Sequence, residues 1–176
     1  MNSALPFIIR EEKEEDFPEI YNLIKTAFKT ANVSDGDEQD YAENLRRSEN
    51  YIPCLALVAE YENQLIGHIM LTKTYIEMDD NKVYETLLLS PLSVLLEYRN
   101  KGVGGSLIKE SIKLDEKLGY KNVFLCGDPE YYCRFGFRQS SIWKIFPKGD
   151  IPEQYVLGYD FASDSLNNIS GKLECI

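Results

Sequence analysis

The stretch that decides the fold is YRNKGVGGSLIKESI, residues 98–112. Arg99, Lys101 and three glycines fall within seven positions, and an amphipathic run follows at once. Glycine lets successive main-chain N–H groups approach one anion closely, and a helix N-terminus adds a favourable dipole. Three phosphate-loop patterns can be compared with it. No GK[ST] occurs, so a Walker A loop is excluded. Gly102 and Gly104 begin a GxGxxG, but Leu107 stands at the third glycine. The remaining pattern, R/Q-x-x-G-x-G/A, is met by Arg99-Asn100-Lys101-Gly102-Val103-Gly104. Taken alone, the stretch fits a pyrophosphate cradle and an ordinary Gly-rich strand-to-helix turn equally well.

Working outward, VYETLLLSPLSVL (83–95) reads as a long strand before the turn, and NVFLCGD (122–128) as a short apolar strand after the helix. Gly119 is placed to end that helix, whose apolar face is expected to include Leu107, Ile108, Ser111, Ile112, Leu114 and Leu118. Strand, helix and strand make a parallel, buried pair. Pro91 cannot donate to a ladder, so it marks a bulge or the point where the strand stops pairing. Upstream, FIIREE (7–12) is a strand, EIYNLIKTAFK (19–29) repeats at helical spacing, and a second helix is expected over 38–48. LALVAEY (55–61) and LIGHIMLTKTYI (65–76) form a hairpin. Further strands are expected near 142–146 and 155–161, while SGKLECI at the end is left open. The fold class is α/β, a mixed and mostly antiparallel sheet with one parallel crossover and helices on both faces.

The composition narrows the function. At 176 residues one domain is expected, spanning 5–176. Nineteen Lys and Arg against 29 Asp and Glu give a net charge of −10, which disfavours nucleic acid and anionic membranes as partners. The opening MNSALPFIIREEKEED lacks a basic n-region before an apolar core, and no apolar run approaches the ~20 residues of a membrane span. Cys54, Cys126, Cys133 and Cys175 form no CxxC pair and there is one histidine, so no metal site is expected. A reduced, cytoplasmic protein with mostly buried thiols is the reading.

Three stretches resemble the GNAT superfamily of N-acetyltransferases, and within it the YhbS-like branch of bacterial predicted acetyltransferases. They are LIGHIMLT (65–72), LSPLSVLLEYRNKGVGGSLI (89–108) and GDPEYYCRFGF (127–137), in the order the family has. The resemblance implies a sheet splayed at two central parallel strands that binds acetyl-CoA as co-substrate. Its pantetheine arm would pair with the backbone of Leu92, Ser93 and Val94. Its pyrophosphate would sit on Arg99, Asn100, Lys101, Gly102, Val103, Gly104, Gly105 and Ser106. The implied reaction is direct transfer of acetyl to a primary amine, on a small molecule or a peptide, in a ternary complex. A homodimer is compatible with it.

A tyrosine four residues before the Gly-Phe pair is the usual general acid of the superfamily, which points to Tyr132; packing under the sheet is the alternative. Tyr131 would point roughly 100° away on a helix. Cys126 and Cys133 have no base partner and are expected to fill core space. No general base is assigned. His68 lies mid-strand, Glu85 starts the strand before the turn, and Glu97 just precedes Arg99. A non-catalytic CoA-binding module remains the rival reading.

Overall fold

The computed structural model describes residues 5–31 and 34–175. In chain order the elements are β1 (Ile8–Glu11), α1 (Phe17–Phe28), α2 (Glu38–Arg46), β2 (Tyr51–Tyr61), β3 (Gln64–Met78), β4 (Val83–Val94), α3 (Val103–Lys117), β5 (Asn122–Cys126), α4 (Pro129–Tyr132), β6 (Arg138–Gln139), β7 (Ile145–Pro147), β8 (Val156–Asp160) and β9 (Gly171–Leu173). Strands pair in the order β1-β2-β3-β4-β5-β8-β6, with β9 on both β3 and β7. The chain forms two compact units: residues up to Leu71 with Pro91–Ser111, and Thr72–Ser90 with everything from Ile112 on. The expected α/β class, a mostly antiparallel sheet with a parallel pair formed by β4 and β5, is what the structure has, and β7 with β9 adds a second, unexpected parallel pair.

In the first unit, β1 runs antiparallel to β2 with Ile9 opposite Ala59 and Glu11 opposite Leu57. Glu62 and Asn63, both at positive φ, make the tight turn into β3. The helical period of α1 is as read from the sequence: Ile20, Leu23, Ile24 and Ala27 are buried. They meet Ala42 of α2, Val58, Leu65 and Leu95 in one core cluster. Strand β2 starts at Tyr51, earlier than the expected Leu55. Pro53 breaks the strand pattern in the sequence, yet it lies beyond the last residue paired with β1, where its missing N–H is tolerated. Helix α3 approaches β3 at Gly67, where an added Cβ would stand 2.9 Å from Val103 Cγ1 and 3.1 Å from Leu107 Cδ1.

In the second unit, β4 and β5 are parallel at Leu87↔Val123 and Leu88↔Phe124. Beyond Phe124, β5 continues to Cys126 in register with β8. Strand β4 itself runs on through Pro91 to Val94. Ile76, Leu88, Phe124, Ile145, Val156, Leu166 and Leu173 form the core cluster. The C-terminal segment does add a strand: Leu173 pairs with Ile76 and Ile145 with Gly171. Gly171 is obligatory there, since a Cβ would collide with the Glu77 carbonyl oxygen. The strand expected at 142–146 is half wrong. Ser140–Trp143 form a 3₁₀ turn, Lys144 takes a left-handed conformation, and only Ile145–Pro147 are extended. Two-residue β6 was too short to carry a periodic signal.

Helix α3 ends as expected, with Gly119 at φ 87° and the Tyr120 N–H bonded to the Asp115 carbonyl at 3.0 Å. Its buried stripe is rotated from the expected one. Leu107, Ile108, Ser111 and Asp115 are buried, whereas Leu118 is exposed. At about 100° per residue the i, i+4, i+8 row through Leu107 carries Asp115 inward. Among the described residues, neither Asp115 carboxylate oxygen has a hydrogen-bond partner. Burial pushes its pKa up to about 8, with Glu116 adding repulsion. Between about pH 4 and 8 the folded chain therefore holds a proton that the unfolded chain releases, so stability falls as pH rises through that window. Asp115→Asn is expected to flatten this slope and to gain about 1–3 kcal/mol over the parent at pH 8. Urea melts of both proteins from pH 5 to 8 check it; parallel slopes would contradict it.

Candidate active site

The Gly-rich turn is built by local chemistry within the first unit. Leu95 is buried and its N–H bonds the Ile66 carbonyl, which pins the end of β4 to β3. A 3₁₀ turn over Leu96–Tyr98 follows. Asn100 and Gly102 then take positive φ of 60° and 85°. Nothing would lie within 4 Å of a Cβ on Gly102, so the requirement for glycine is conformational. The first main-chain bond into α3 runs from the Ser106 N–H to the Gly102 carbonyl at 3.0 Å. The N–H groups of Val103, Gly104 and Gly105 are left without an intrahelical acceptor, at the positive end of a 15-residue helix. Asn100, Lys101 and Gly102 are exposed; Gly105 and Ser106 are half-buried.

The two cations of the turn have different roles. Lys101 is exposed, with Nζ 5.4 Å from the Tyr98 ring centroid, and among the described residues it forms no ion pair. Arg99 is committed elsewhere. Its guanidinium donates to the Val94 carbonyl (3.2 Å), Thr30 Oγ1 (2.9 Å) and the Ala27 carbonyl (2.7 Å). It clamps the turn to the C-terminal end of α1, where a cation also meets the helix dipole favourably. The expectation that both charges face one anion is corrected to that extent. On β4, Leu92 and Val94 are half-buried, and Ser93 is buried with an Oγ that has no hydrogen-bond partner among the described residues.

Tyr132 belongs to the second unit. Asp128 caps α4 by accepting from the Glu130 N–H at 2.9 Å, and Pro129 starts the helix. The Tyr132 ring lies over Gly127: a Cβ there would come within 2.5 Å of Tyr132 Cε2. Edge contacts to Tyr131 (4.9 Å between centroids) and Phe137 (5.9 Å) fix the ring from two other sides. Gly136, at φ 99°, is also pressed by Tyr159, at 2.9 Å from a Cβ. Among the described residues, the Tyr132 hydroxyl has no hydrogen-bond partner. Burial pushes its pKa well above that of a free phenol, with Tyr131 and Asp128 contributing. The phenol is therefore protonated near neutral pH. Tyr131 instead stacks under the Arg134 guanidinium, 4.7 Å from the ring centroid.

The base candidates separate. His68 is fully buried, with Nε2 2.9 Å from Glu12 Oε2. Glu12 also accepts from Arg46 Nε (2.8 Å) and Nη2 (3.0 Å) and from the Tyr51 hydroxyl (2.8 Å). This buried network was missed in the sequence, where its members are up to 56 residues apart; the one hint was a lone histidine within an apolar strand. Glu85 is exposed and accepts from the Tyr120 hydroxyl at 3.2 Å. Glu97 is exposed on the 3₁₀ turn. The expectation of buried thiols is overturned: Cys126 and Cys133 are exposed, and Cys54 and Cys175 are half-buried. Cys126 lies two residues beyond Phe124, the partner of Leu88 in the β4–β5 ladder. Cys133 begins a surface 3₁₀ turn. Among the described residues no group of three or more His, Cys, Asp or Glu is arranged to hold a metal. No helix among them is long and apolar enough to cross a membrane.

The chain is similar to known proteins in sequence and in fold. The uncharacterized N-acetyltransferase YjhQ of Escherichia coli K12 is 36% identical over 121 residues, 67% of this chain and 65% of its own length, so the match spans just under two thirds of that relative. The uncharacterized N-acetyltransferase YhbS of the same strain is 29% identical over 167 residues, 95% of each chain. The solved structure of E. coli YhbS in complex with CoA superposes with a TM-score of 0.87 at 26% identity, covering 100% of this chain and 93% of that one. A GNAT family acetyltransferase from Brucella melitensis in complex with acetyl-CoA gives 0.77 at 28% identity, covering 96% and 95%. The sequence profile described as "Acetyltransferase (GNAT) domain" matches residues 8–140. A match that runs from β1 past Phe137, through the turn and α4 alike, makes this chain a member of the GNAT acetyltransferase family.

Proposed function

We propose that the protein is an acetyl-CoA-dependent N-acetyltransferase that moves the acetyl group to a primary amine by direct attack in a ternary complex. The observation that carries this reading is the start of α3. Three consecutive N–H groups without intrahelical acceptors, a free lysine and a left-handed glycine suit a pyrophosphate. Arg99 would hold the turn in shape, and residues 100–106 would receive the phosphates. The main chain of Leu92, Ser93 and Val94 would take the pantetheine arm. CoA and acetyl-CoA in the two structural relatives support the same co-substrate here.

In the reaction, the amine nitrogen attacks the thioester carbonyl carbon and the carbon–sulfur bond breaks. Tyr132 gives its phenolic proton to the departing thiolate, and the acetylated nitrogen loses its extra proton to water. The net charge of −10 favours a cationic acceptor, small molecule or peptide. Residues 5–176 would act as one acetyltransferase domain in the cytoplasm, without metal, nucleic acid or membrane.

Lys101→Glu should weaken CoA binding by about 1.5–3 kcal/mol, because a charge-assisted phosphate contact becomes a repulsion. Calorimetry measures it, and unchanged affinity would remove the cradle. Arg99 is a poorer probe, since replacing it also frees the end of α1. Turnover is tested by free-thiol release from acetyl-CoA across a panel of primary amines. Tight CoA binding with no thiol release from any amine would favour the non-catalytic module.

A further inference from the structure

The second unit holds a pair of thiols that the proposed chemistry does not use. Cys126 ends β5 and is exposed. Cys175 follows β9 and is half-buried. They are 49 positions apart in sequence, yet their side chains are neighbours in the fold. The packing around them agrees. Cys175 lies against the cluster containing Phe124, Val156 and Leu173. Phe124 is two residues before Cys126 on the same strand face, and Val156 is the cross-strand partner of Cys126. Cys175 likewise stands two residues after Leu173.

We propose that Cys126 and Cys175 form a dithiol–disulfide pair, in which Cys126 is the attacking thiol and Cys175 the resolving one. The assignment of roles follows from access. Cys126 is open to solvent, whereas Cys175 is half-buried and its S–H donates to the Leu173 carbonyl at 3.6 Å. The neighbouring thiols favour the Cys126 thiolate and hold Cys175 protonated. Glu174 beside Cys175 acts in the same direction. With a small-molecule disulfide as oxidant, the Cys126 thiolate attacks one sulfur and releases the first thiolate. Cys175 then loses its proton to solvent and attacks Cys126 Sγ, and the second thiolate departs. Two protein thiols are oxidised and one external disulfide is reduced to two thiols. The bond would tie the residue before Gly127, on which the Tyr132 ring rests, to the segment after β9. The other two cysteines lie elsewhere: Cys133 is exposed on its own turn, and Cys54 lies in β2.

The test equilibrates the full chain in glutathione disulfide/glutathione buffers of graded ratio, quenches with acid, alkylates and maps the peptides. The expected product has lost two of its four free thiols and contains a Cys126–Cys175 linked peptide, which dithiothreitol reverses. Cys175→Ser should instead stop at a stable glutathione adduct on Cys126, while Cys126→Ser should leave Cys175 largely unmodified. A dominant disulfide involving Cys54 or Cys133, or four free thiols at every ratio, would overturn the proposal. So would faster glutathionylation at Cys133 than at Cys126 in the Cys175→Ser protein. None of these readouts depends on acetyl transfer, so they stand apart from the proposed activity.

Discussion

Tyr132→Phe is expected to lower turnover by on the order of 10²-fold and to leave CoA affinity nearly unchanged. The substitution keeps the ring, so its contacts with Tyr131 and Phe137 and its seat on Gly127 persist. Only the hydroxyl is lost, and that hydroxyl bonds no described residue. A packing role would therefore predict almost no effect, whereas a proton donor to the thiolate predicts a loss in kcat. Tyr131→Phe serves as the control, because Tyr131 is engaged by Arg134 through its ring face. Steady-state kinetics with an amine found by thiol release read both. Equal, small losses would leave Tyr132 as a packing residue. A large loss at Tyr131 alone would move the acid by one position. Gly127→Ala gives an independent check: the new methyl must displace the Tyr132 ring, so turnover should fall with the hydroxyl still present.

Glu12→Ala should destabilise the protein by about 3–5 kcal/mol, the usual cost of removing one partner of a buried ion pair. The Glu12 side chain is fully buried and that of Arg46 is 6% exposed. Arg46 also stacks on Phe17, 4.0 Å from the ring centroid, and reaches Glu43 Oε1 at 2.6 Å. Without Glu12, two of its donors, the Tyr51 hydroxyl and His68 Nε2 all lose their acceptor. The loss is electrostatic rather than volumetric, so Glu12→Leu combined with Arg46→Met should recover much of it. Denaturant unfolding of the single and double mutants tests this. A double mutant as unstable as Glu12→Ala would mean that packing, not charge, sets the cost. The network also has a pH signature. Hydrogen bonds from His68 and Arg46 outweigh burial and hold the Glu12 carboxyl at about 2, below its ordinary 4.5. The unfolded chain thus binds the extra proton first, and the stabilisation is lost as pH falls from about 4.5 toward 2. This slope is opposite in sign to that from Asp115, so wild-type stability should peak in the mildly acidic range.

The features that sequence could determine are those encoded by neighbours along the chain. The burial of α1, the glycine-dependent start of α3, the Gly119 cap and the placement of Tyr132 four residues before Gly136 all rest on periods of a few residues or on turn chemistry. Each could be read without knowing what lies opposite. The strand order around β4 and β5 followed because a helix crossover forces parallel pairing. Tertiary structure decided what depends on remote segments. Arg99 looked like a phosphate ligand until Ala27 and Thr30 supplied its acceptors. Asp115, which no apolar pattern marks, is turned inward on the α3 stripe. Glu12 and His68 became partners across 56 residues, and Cys126 met Cys175 across 49. Periodicity records which face of one element is apolar; it carries no information on which polar group from another element will stand against that face. Charge pairing, thiol pairing and the orphaned carboxyl are set there, by contacts that close only when the sheet has formed.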